Sequence, residues 1–381
     1  MMPSPKRQRR RRDGCRTPEK HLYLVFDDWP WGYSIRELDL SSAVHHQQRP
    51  SSSSSSRPPR RLPEPFIRLE APRGTPSHFS AVGSRIVATH QRNPFDDDSV
   101  AENFLPIVDV RSRGVLFGPR NVSPFIPIYL AVGDDELFAM DDHSFHVLSL
   151  KPLWPPRLEN QSSCDIIEWS WRELPKPPFR RLEVTSYAVR SDGHTIVVST
   201  DDAATFAFDT AAAAAPVWER QAGEWTMPFT GRAHFVSDLN ALVGLSKDPA
   251  SLGHLCSCAE PAATTTDDCP PTWKLGKEKL FSEDPAESHV GATLVYMDRN
   301  EFCLVQCVSI AADQGLLEEG DRQEQQGVVR RCSSYIYRLT TFCLGYDHKG
   351  DLTTDHTRLM QSYKVPEGIT QAFDGPVAFW L

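Results

Sequence analysis

Short apolar runs separated by polar turns recur along most of the chain and predict antiparallel strand pairs. In each pair an apolar segment reaches a turn rich in Gly, Asp, Ser or Asn and continues into a second apolar segment. Those turn residues accept positive φ angles or hydrogen-bond to their own backbone. The pattern predicts five pairs of strands, at residues 79–82 with 86–88, 129–132 with 137–140, 187–189 with 196–198, 235–236 with 242–245, and 294–296 with 302–305.

A third strand, and a fourth that carries Trp or Phe, follow most of these pairs. These additional segments are residues 107–110 with 115–117, 145–150 with 169–171, 206–209 with 217–219, and 335–343 with 359–363. At the start of the chain, residues 22–26, 33–40 and 66–69 show the same order with the first strand missing. Residues 377–381 are apolar enough to supply that missing strand.

The spacing of the units predicts the fold. The second strands of successive units lie 46 to 62 residues apart, and four strands in about 50 residues is the length of a kelch-type propeller blade. We therefore predict an all-β fold, a kelch-like β-propeller of about six four-stranded blades that the last strand closes, leaving no open sheet edge. Two β-sandwich domains also show strands at such spacing and are the alternative.

Composition divides the chain into a basic tail and one propeller domain. Residues 1–20 are predicted to be a disordered tail and residues 21–381 the propeller domain. Loop insertions are predicted at about 43–61, 259–271 and 311–327, where low-complexity sequence interrupts the strand pattern, since surface loops tolerate insertions at little entropic cost. No apolar stretch is long enough for a transmembrane helix, and the basic start lacks the apolar core of a signal peptide. We expect the nine cysteines to be thiols in a reducing compartment.

An ordered set of aromatic, proline and glycine motifs runs from about residue 165 to residue 260. These motifs are residues 171–175, 178–179, 186–189, 192–193, 205–210, Trp218, 223–225, 228–229, 231–233, 242–245 and 255–258. Together they resemble a family of plant proteins of unknown function, much expanded in grasses and related to kelch and F-box-associated propellers. The resemblance covers most of residues 20–381. It implies a propeller and a plant source but no reaction and no catalytic residues. Because only about twenty basic residues precede the first predicted strand, we do not expect an F-box role.

The tail concentrates positive charge. Its densest run is Lys6, Arg7, Arg9, Arg10, Arg11 and Arg12. Such a run suits the acidic grooves of nuclear import receptors and also suits polyanions, although a solvated tail without function has the same composition. Because the whole chain carries −9 and residues 1–20 carry +6, the remainder carries −15. A body this acidic repels phosphate, so binding to nucleic acid is expected only through the tail.

Three polar clusters contain residue types that bind metals or take part in catalysis. Cys256 and Cys258, near His254 and Cys269, lack the spacing of paired zinc ligands, and two buried thiols on one strand face are the expected arrangement. The cluster at residues 141–146 is expected to form a tight turn. The third cluster is expected to form a polar loop; it comprises Asp347, His348, Asp351, Asp355 and His356. We predict no metal and no cofactor.

No sequence motif for catalysis was found. The chain contains no Gly-x-Gly, no phosphate-binding Gly-Lys-Ser/Thr, no His-Glu-x-x-His and no Gly-x-Ser-x-Gly, which are the short signatures of nucleotide-binding, metallopeptidase and hydrolase sites. Tryptophans such as Trp169, Trp171, Trp218 and Trp225 are expected in the core between sheets. We therefore expect a non-enzymatic scaffold that binds a protein partner through propeller loops, in the nucleus or the cytoplasm. The alternative is an enzyme with polar residues on one propeller face, acting on a sugar or another small molecule.

Overall fold

The structure is a computed structural model that describes eleven stretches of the chain. They are residues 20–40, 58–71, 78–89, 104–120, 127–151, 169–212, 216–260, 271–310, 334–355, 359–369 and 375–381. These residues form 25 strands and three short 3-10 helices, with no α-helix among them. The predicted tail except Lys20, and most of each predicted insertion, lie outside the described residues.

The described strands form six antiparallel units, which we call blades 1 to 6; blades 4 and 5 are joined through their innermost strands into one eight-stranded sheet, and blade 6 has a fifth strand. Blade 1 contains β25 (Val377–Trp380), β1 (Leu22–Trp29), β2 (Gly32–Leu38) and β3 (Ile67–Glu70). Blade 2 contains β4 (Phe79–Val82), β5 (Arg85–Ala88), β6 (Phe104–Asp109) and β7 (Gly114–Arg120). Blade 3 contains β8 (Ile128–Val132), β9 (Glu136–Met140), β10 (Phe145–Ser149) and β11 (Trp171–Glu173).

The other three blades follow in chain order. Blade 4 contains β12 (Val184–Val189), β13 (Thr195–Thr200), β14 (Thr205–Asp209) and β15 (Trp218–Arg220). Blade 5 contains β16 (Phe229–Val236), β17 (Ala241–Ser246), β18 (His254–Ala259) and β19 (Trp273–Lys279). Blade 6 contains β20 (Glu287–Asp298), β21 (Glu301–Ile310), β22 (Ser334–Tyr346) and β24 (Leu359–Lys364), with β23 (Leu352–Thr354) paired to the end of β22.

The last strand closes blade 1, as the sequence predicts. β25 pairs with β1 in antiparallel register, with Ala378 opposite Leu24. The backbone N–H of His21 also donates to the carbonyl of Leu381 at 2.8 Å. A strand from the end of the chain thus satisfies the backbone edge that β1 would otherwise expose.

Six apolar clusters hold the ring together, and each one lies between two consecutive blades. Because side chains alternate along a strand, β1 contributes Leu22 and Leu24 to the cluster shared with blade 6, and Tyr23 and Val25 to the cluster shared with blade 2. Packing of blade 6 on blade 1 completes a closed ring of radial sheets. The predicted all-β propeller is confirmed, and the alternative of two sandwiches is excluded.

The strand pattern differs from the prediction in blade 6. Residues 352–354 lie in the predicted polar connection but form β23, because β22 runs to Tyr346 and leaves its last residues unpaired by β24. The end of the first predicted insertion also has a partner: Arg60 forms a parallel bridge with Tyr363 of β24. These contacts bring sequence-distant segments together, which local patterns do not encode.

Candidate functional site

The turns divide the ring into two faces. The first strands of the blades run in one direction around the axis, as the parallel pairing of β12 with β16 shows. The turns after the first and third strands therefore all lie on one face, which we call the hairpin face. The turns after the second strands, and the segments that join blades, lie on the opposite face, which we call the connection face.

A cavity of about 600 Å³ opens on the hairpin face. It lies where the turns of blades 1, 2 and 3 meet around the ends of their innermost strands, and we call it the mouth cavity. Its volume falls within the usual range for ligand sites. Seven charged side chains line it: Lys20, Glu37, Arg85, Arg111, Arg113, Asp134 and Asp135.

On the blade 1 side of the mouth cavity, Glu37 contacts three neighbouring polar side chains. It accepts a hydrogen bond from the Tyr23 hydroxyl at 3.2 Å and pairs with Arg113 of blade 2 at 3.0 Å. His21 approaches the same carboxylate at 3.8 Å. Burial, with the neighbouring Glu37 charge, raises the pKa of Tyr23, so this phenol stays protonated and donates at neutral pH.

Arg85 of blade 2 connects that blade to blade 3 on another side of the mouth cavity. Its guanidinium donates to the carbonyl of Leu150 at 2.9 Å and lies 3.5 Å from Asp135. The two neighbouring turns touch, because a Cβ built on Gly83 would lie 2.6 Å from the carbonyl oxygen of Asp134. The cavity wall is therefore a fixed junction of two blades.

The remaining charges of the mouth cavity are unpaired within the described chain. Lys20 and Arg111 are exposed cations without an ion-pair partner there, and Asp134 is an unpaired carboxylate. The Ser84 hydroxyl donates to Asp109 at 3.2 Å. The exposed charges of the mouth cavity are suited to binding charged groups.

A second polar cluster lies on the innermost strands of blades 4 and 5. Tyr187 on β12 is the register partner of Arg232 on β16. Arg181 lies just before β12, and its backbone N–H donates to Asp142 of blade 3. Both guanidinium groups act electrostatically on the Tyr187 hydroxyl. Burial and Arg232 together lower the pKa of His234 to about 3, so its imidazole is neutral and contacts the carbonyl of Leu294 at 3.3 Å.

The predicted cysteine pair lies in the core. Cys256 and Cys258 are buried on one face of β18, in the cluster between blades 4 and 5. Burial raises the pKa of Cys258 to about 12, which keeps this thiol protonated. Cys269 lies outside the described residues. Among the residues that the structure places, no group of three or more His, Cys, Asp or Glu side chains could hold a metal ion.

The cluster at residues 141–146 forms a tight turn, as predicted, whereas the third cluster, predicted as a polar loop, holds a turn followed by β23. Asp141 accepts from the backbone N–H groups of His143 and Ser144 and so shapes the turn between β9 and β10. In the turn after β22, Lys277 contacts Asp347 at 2.6 Å and Asp351 at 2.9 Å. The hydrogen bond from Lys277 lowers the pKa of Asp347 to about 2. His356 falls outside the described part of the chain.

The tryptophans contribute to packing between blades to different degrees. Trp225 is buried in the cluster between blades 4 and 5, and Trp218 packs at ring distances of 5.0–5.3 Å against aromatic rings of blades 3 and 4. Trp169 and Trp171 pack partly buried against the cluster between blades 2 and 3. The predicted core role is met most fully by Trp225.

The predicted nuclear-import residues, Lys6 to Arg12, lie outside the described residues. The residues of the mouth cavity and the Tyr187 cluster were not singled out by the sequence. The turns at Gly83 and Asp134 were predicted as turns, but nothing local indicates that turns 50 residues apart meet. Within the described residues, no helix is long and apolar enough to cross a membrane.

Solved structures with similar folds are distant in sequence. Apo AztD from Citrobacter koseri is 11% identical, with 94% of this chain and 98% of that chain covered and a TM-score of 0.41. The β-propeller domain of Cps50 (Swd1) from Myceliophteria thermophila is 11% identical, with 90% and 92% covered and a TM-score of 0.37. A Bacteroides thetaiotaomicron protein of unknown function is 8% identical with a TM-score of 0.35. The alignment covers 61% of this chain and 54% of that protein.

Family membership rests on the sequence. No curated protein matches the chain. One family does match, over residues 19–363, a span that runs from the start of blade 1 to the fourth strand of blade 6. The chain therefore belongs to the family described as "Protein of unknown function (DUF1668)".

Proposed function

We propose that this protein is a non-enzymatic β-propeller scaffold of six blades that binds a protein partner at the mouth cavity. The observation that supports the proposal is the cavity itself. Turns from three blades form its wall through ion pairs, and Lys20 and Arg111 have no ion-pair partner among the described residues. A closed ring fixes such turns in place while their sequences stay free to vary. The kelch-like relationship and the plant source are part of this proposal.

The net charge of the propeller body predicts the charge of the partner's surface. The body carries −15, so a partner with a basic surface is attracted over a distance, and association weakens as salt screens the charges. At the cavity, the unpaired Lys20 and Arg111 would contact an acidic side chain of that partner. Specific contacts of this kind orient a partner that long-range attraction brings close.

The test compares charge-reversal variants in pull-downs from plant-tissue extract at low and moderate salt. The double variant Lys20→Glu with Arg111→Glu should no longer capture the partner, because it reverses the two charges that contact it. The variant should still fold, since both side chains are exposed and unpaired. Arg172→Glu, an exposed substitution on the outer strand of blade 3, is the matched control and should leave capture unchanged. Equal capture by both variants would exclude the mouth cavity as the binding site.

The alternative function is an enzyme acting on a sugar or another small molecule. It is favoured by the convergence of Glu37, Asp134, Asp135 and His21 at one mouth of the ring. Against it, Arg113 and Arg85 already hold two of these carboxylates. Consumption of a metabolite that Asp134→Asn abolishes, with no partner enriched, would replace the scaffold by the enzyme.

We also propose that Lys6, Arg7 and Arg9 to Arg12 direct nuclear import. The support is the density of cations, which suits the acidic grooves of import receptors. A fluorescent fusion too large to diffuse through nuclear pores should lose nuclear enrichment when Arg9, Arg10, Arg11 and Arg12 become alanine. An unchanged nuclear fraction would reject the role in import.

A further inference from the structure

The outer edge of blade 2 is apolar, and no described strand covers it. β7 pairs through one edge with β6, and its other edge has no partner among the described strands. Val115, Leu116 and Phe117 follow one another on this strand, with exposed fractions of 43%, 41% and 72%. Because consecutive side chains point to opposite faces of a sheet, both faces of this edge present apolar groups.

The other outer strands carry charges that oppose further pairing. Each of β3, β11, β15, β19 and β24 has at least one charged residue among its exposed positions, for example Arg68 on β3, Arg172 on β11 and Lys364 on β24. Exposed charges of this kind keep a sheet edge from pairing with another chain. None of the positions on β7 that the structure describes as exposed is charged. The edge of β7 therefore lacks this protection.

Blade 6 shows that an outer edge of this ring accepts an extended segment. The backbone N–H of Arg60 donates to the carbonyl of Ser362 on β24 at 2.8 Å, and the N–H of Lys364 donates to the carbonyl of Arg60 at 2.9 Å. Main-chain hydrogen bonds of this kind give affinity when a strand is added to a sheet, and alternate side chains give specificity. The edge of β7 offers the same backbone groups beside three apolar side chains.

Two cations without an ion-pair partner in the described chain lie close to the start of β7. Arg111 belongs to the turn that leads from β6 into β7, and it lines the mouth cavity together with Lys20. Both side chains are exposed. An acidic residue at the end of an added strand would therefore meet opposite charge at the place where β7 begins.

We propose that β7 binds an extended segment of a partner protein as a fifth strand of blade 2, with apolar residues along Val115 to Phe117 and an acidic residue beside Arg111 and Lys20. This inference deepens the partner-binding proposal and rests on it for the position of the acidic residue. The main chain of the segment hydrogen-bonds to the free edge of β7, and its apolar side chains cover the exposed ones.

The probe is a labelled synthetic peptide of about ten residues, the length of a long strand. It alternates valine and threonine and ends in two aspartates, and a second peptide carries the aspartates at its start. Fluorescence anisotropy with the full-length protein should show saturable binding of at least one peptide. Antiparallel pairing favours the first peptide, because its carboxyl end then lies at the start of β7, and parallel pairing favours the second.

Methylation of the peptide's backbone nitrogens tests for an added strand. Only alternate N–H groups of a strand face a given neighbour. Methylation of one alternating set should therefore weaken binding by about tenfold or more, and methylation of the other set should have much less effect. A contact made only by apolar side chains would respond equally to both sets.

Phe117→Asp should weaken peptide binding by about tenfold or more, because it removes the most exposed apolar side chain of β7 and repels the acidic peptide. Met360→Asp places the same charge at an exposed apolar position on the outer strand β24. It is the matched control and should bind like the wild type. Since both positions are exposed, both variants should keep the circular dichroism spectrum of the wild type.

The double variant Lys20→Glu with Arg111→Glu separates this inference from the proposal on which it rests. Weaker binding in Phe117→Asp, with wild-type binding in the double variant, would support the strand site and overturn the position of the acidic residue. Wild-type binding in Phe117→Asp, no saturable binding of either peptide, or equal effects of the two methylated sets would overturn the strand site. A dimer in sedimentation that Phe117→Asp converts to a monomer would also overturn it, because a second copy would then occupy the edge.

Discussion

Gly83 and Gly133 occupy the same position in consecutive blades, at the turn after the first strand, with φ angles of +57° and +63°. Both need the left-handed conformation that glycine adopts without strain. They differ in their surroundings, because a Cβ on Gly83 would meet the Asp134 carbonyl, whereas a Cβ on Gly133 would meet nothing within 4 Å. Gly133 is therefore needed only for the conformation of its turn, whereas Gly83 also allows the close contact between blades 2 and 3.

Gly133→Ala should lower the free energy of unfolding by about 1 to 2 kcal/mol, the cost of a left-handed alanine. Gly83→Ala should cost about 1 to 3 kcal/mol more, because the added methyl group is forced against backbone of the next blade. Urea unfolding of the two variants measures the difference. Equal losses would show that the two turns do not touch in solution.

His234 predicts a pH dependence of stability. Its pKa is lowered to about 3 in the folded protein, whereas an unfolded histidine has a pKa of about 6.5. Between these values the unfolded chain binds one more proton, so stability falls as pH decreases from about 6.5, by up to about 1.4 kcal/mol per pH unit from this group. Burial also lowers the pKa of His78 and His289, which act in the same direction.

The measurement is urea unfolding of wild type and His234→Gln at several pH values from 7.5 to about 4.5. The variant retains an amide donor but does not titrate, so its stability should fall less steeply below pH 6.5. Parallel curves for the two proteins would mean that His234 is protonated in the folded state at the same pH as in the unfolded chain.

At the scale of elements, each blade packs against a neighbour on both of its faces. Successive residues of an inner strand therefore carry apolar side chains that point to opposite faces of the blade. β25 shows how much depends on one short element. Its four residues complete the edge of blade 1, and Ala378 also joins the cluster that closes blade 6 on blade 1. A single strand therefore links the first and last blades.

Ala378→Asp should destabilise the protein by about 3 to 5 kcal/mol, because it places a charge without a partner in an apolar cluster. Leu116→Asp introduces the same charge at an exposed position on the outer strand β7 and should change stability by about 0.5 kcal/mol or less. Urea unfolding compares the two. A small loss for Ala378→Asp would indicate that β25 does not close the ring.

At the scale of the whole molecule, the described chain is a ring of sheets in which every cluster is shared by two neighbours. The mouth cavity lies on blades 1 to 3, and the register pair of Tyr187 and Arg232 lies on blades 4 and 5.

Far-ultraviolet circular dichroism of the purified protein should show a strand spectrum with less than about a quarter helix, since propellers are nearly all strand. The same spectrum should be retained by Lys20→Glu with Arg111→Glu, which changes only exposed side chains. A helix content above that level would contradict the propeller.

The sequence by itself determined most of the strands, the repeated unit they form and the closing role of residues 377–381, because alternating apolar positions and turn residues act over a few neighbouring residues. It also indicated that Cys256 and Cys258 share a face. Only the tertiary structure decided that Gly83 meets Asp134 and that Tyr187 of blade 4 lies opposite Arg232 of blade 5. These contacts depend on how one blade packs on the next, and that packing is set by the summed burial of six clusters, which no short stretch of sequence encodes.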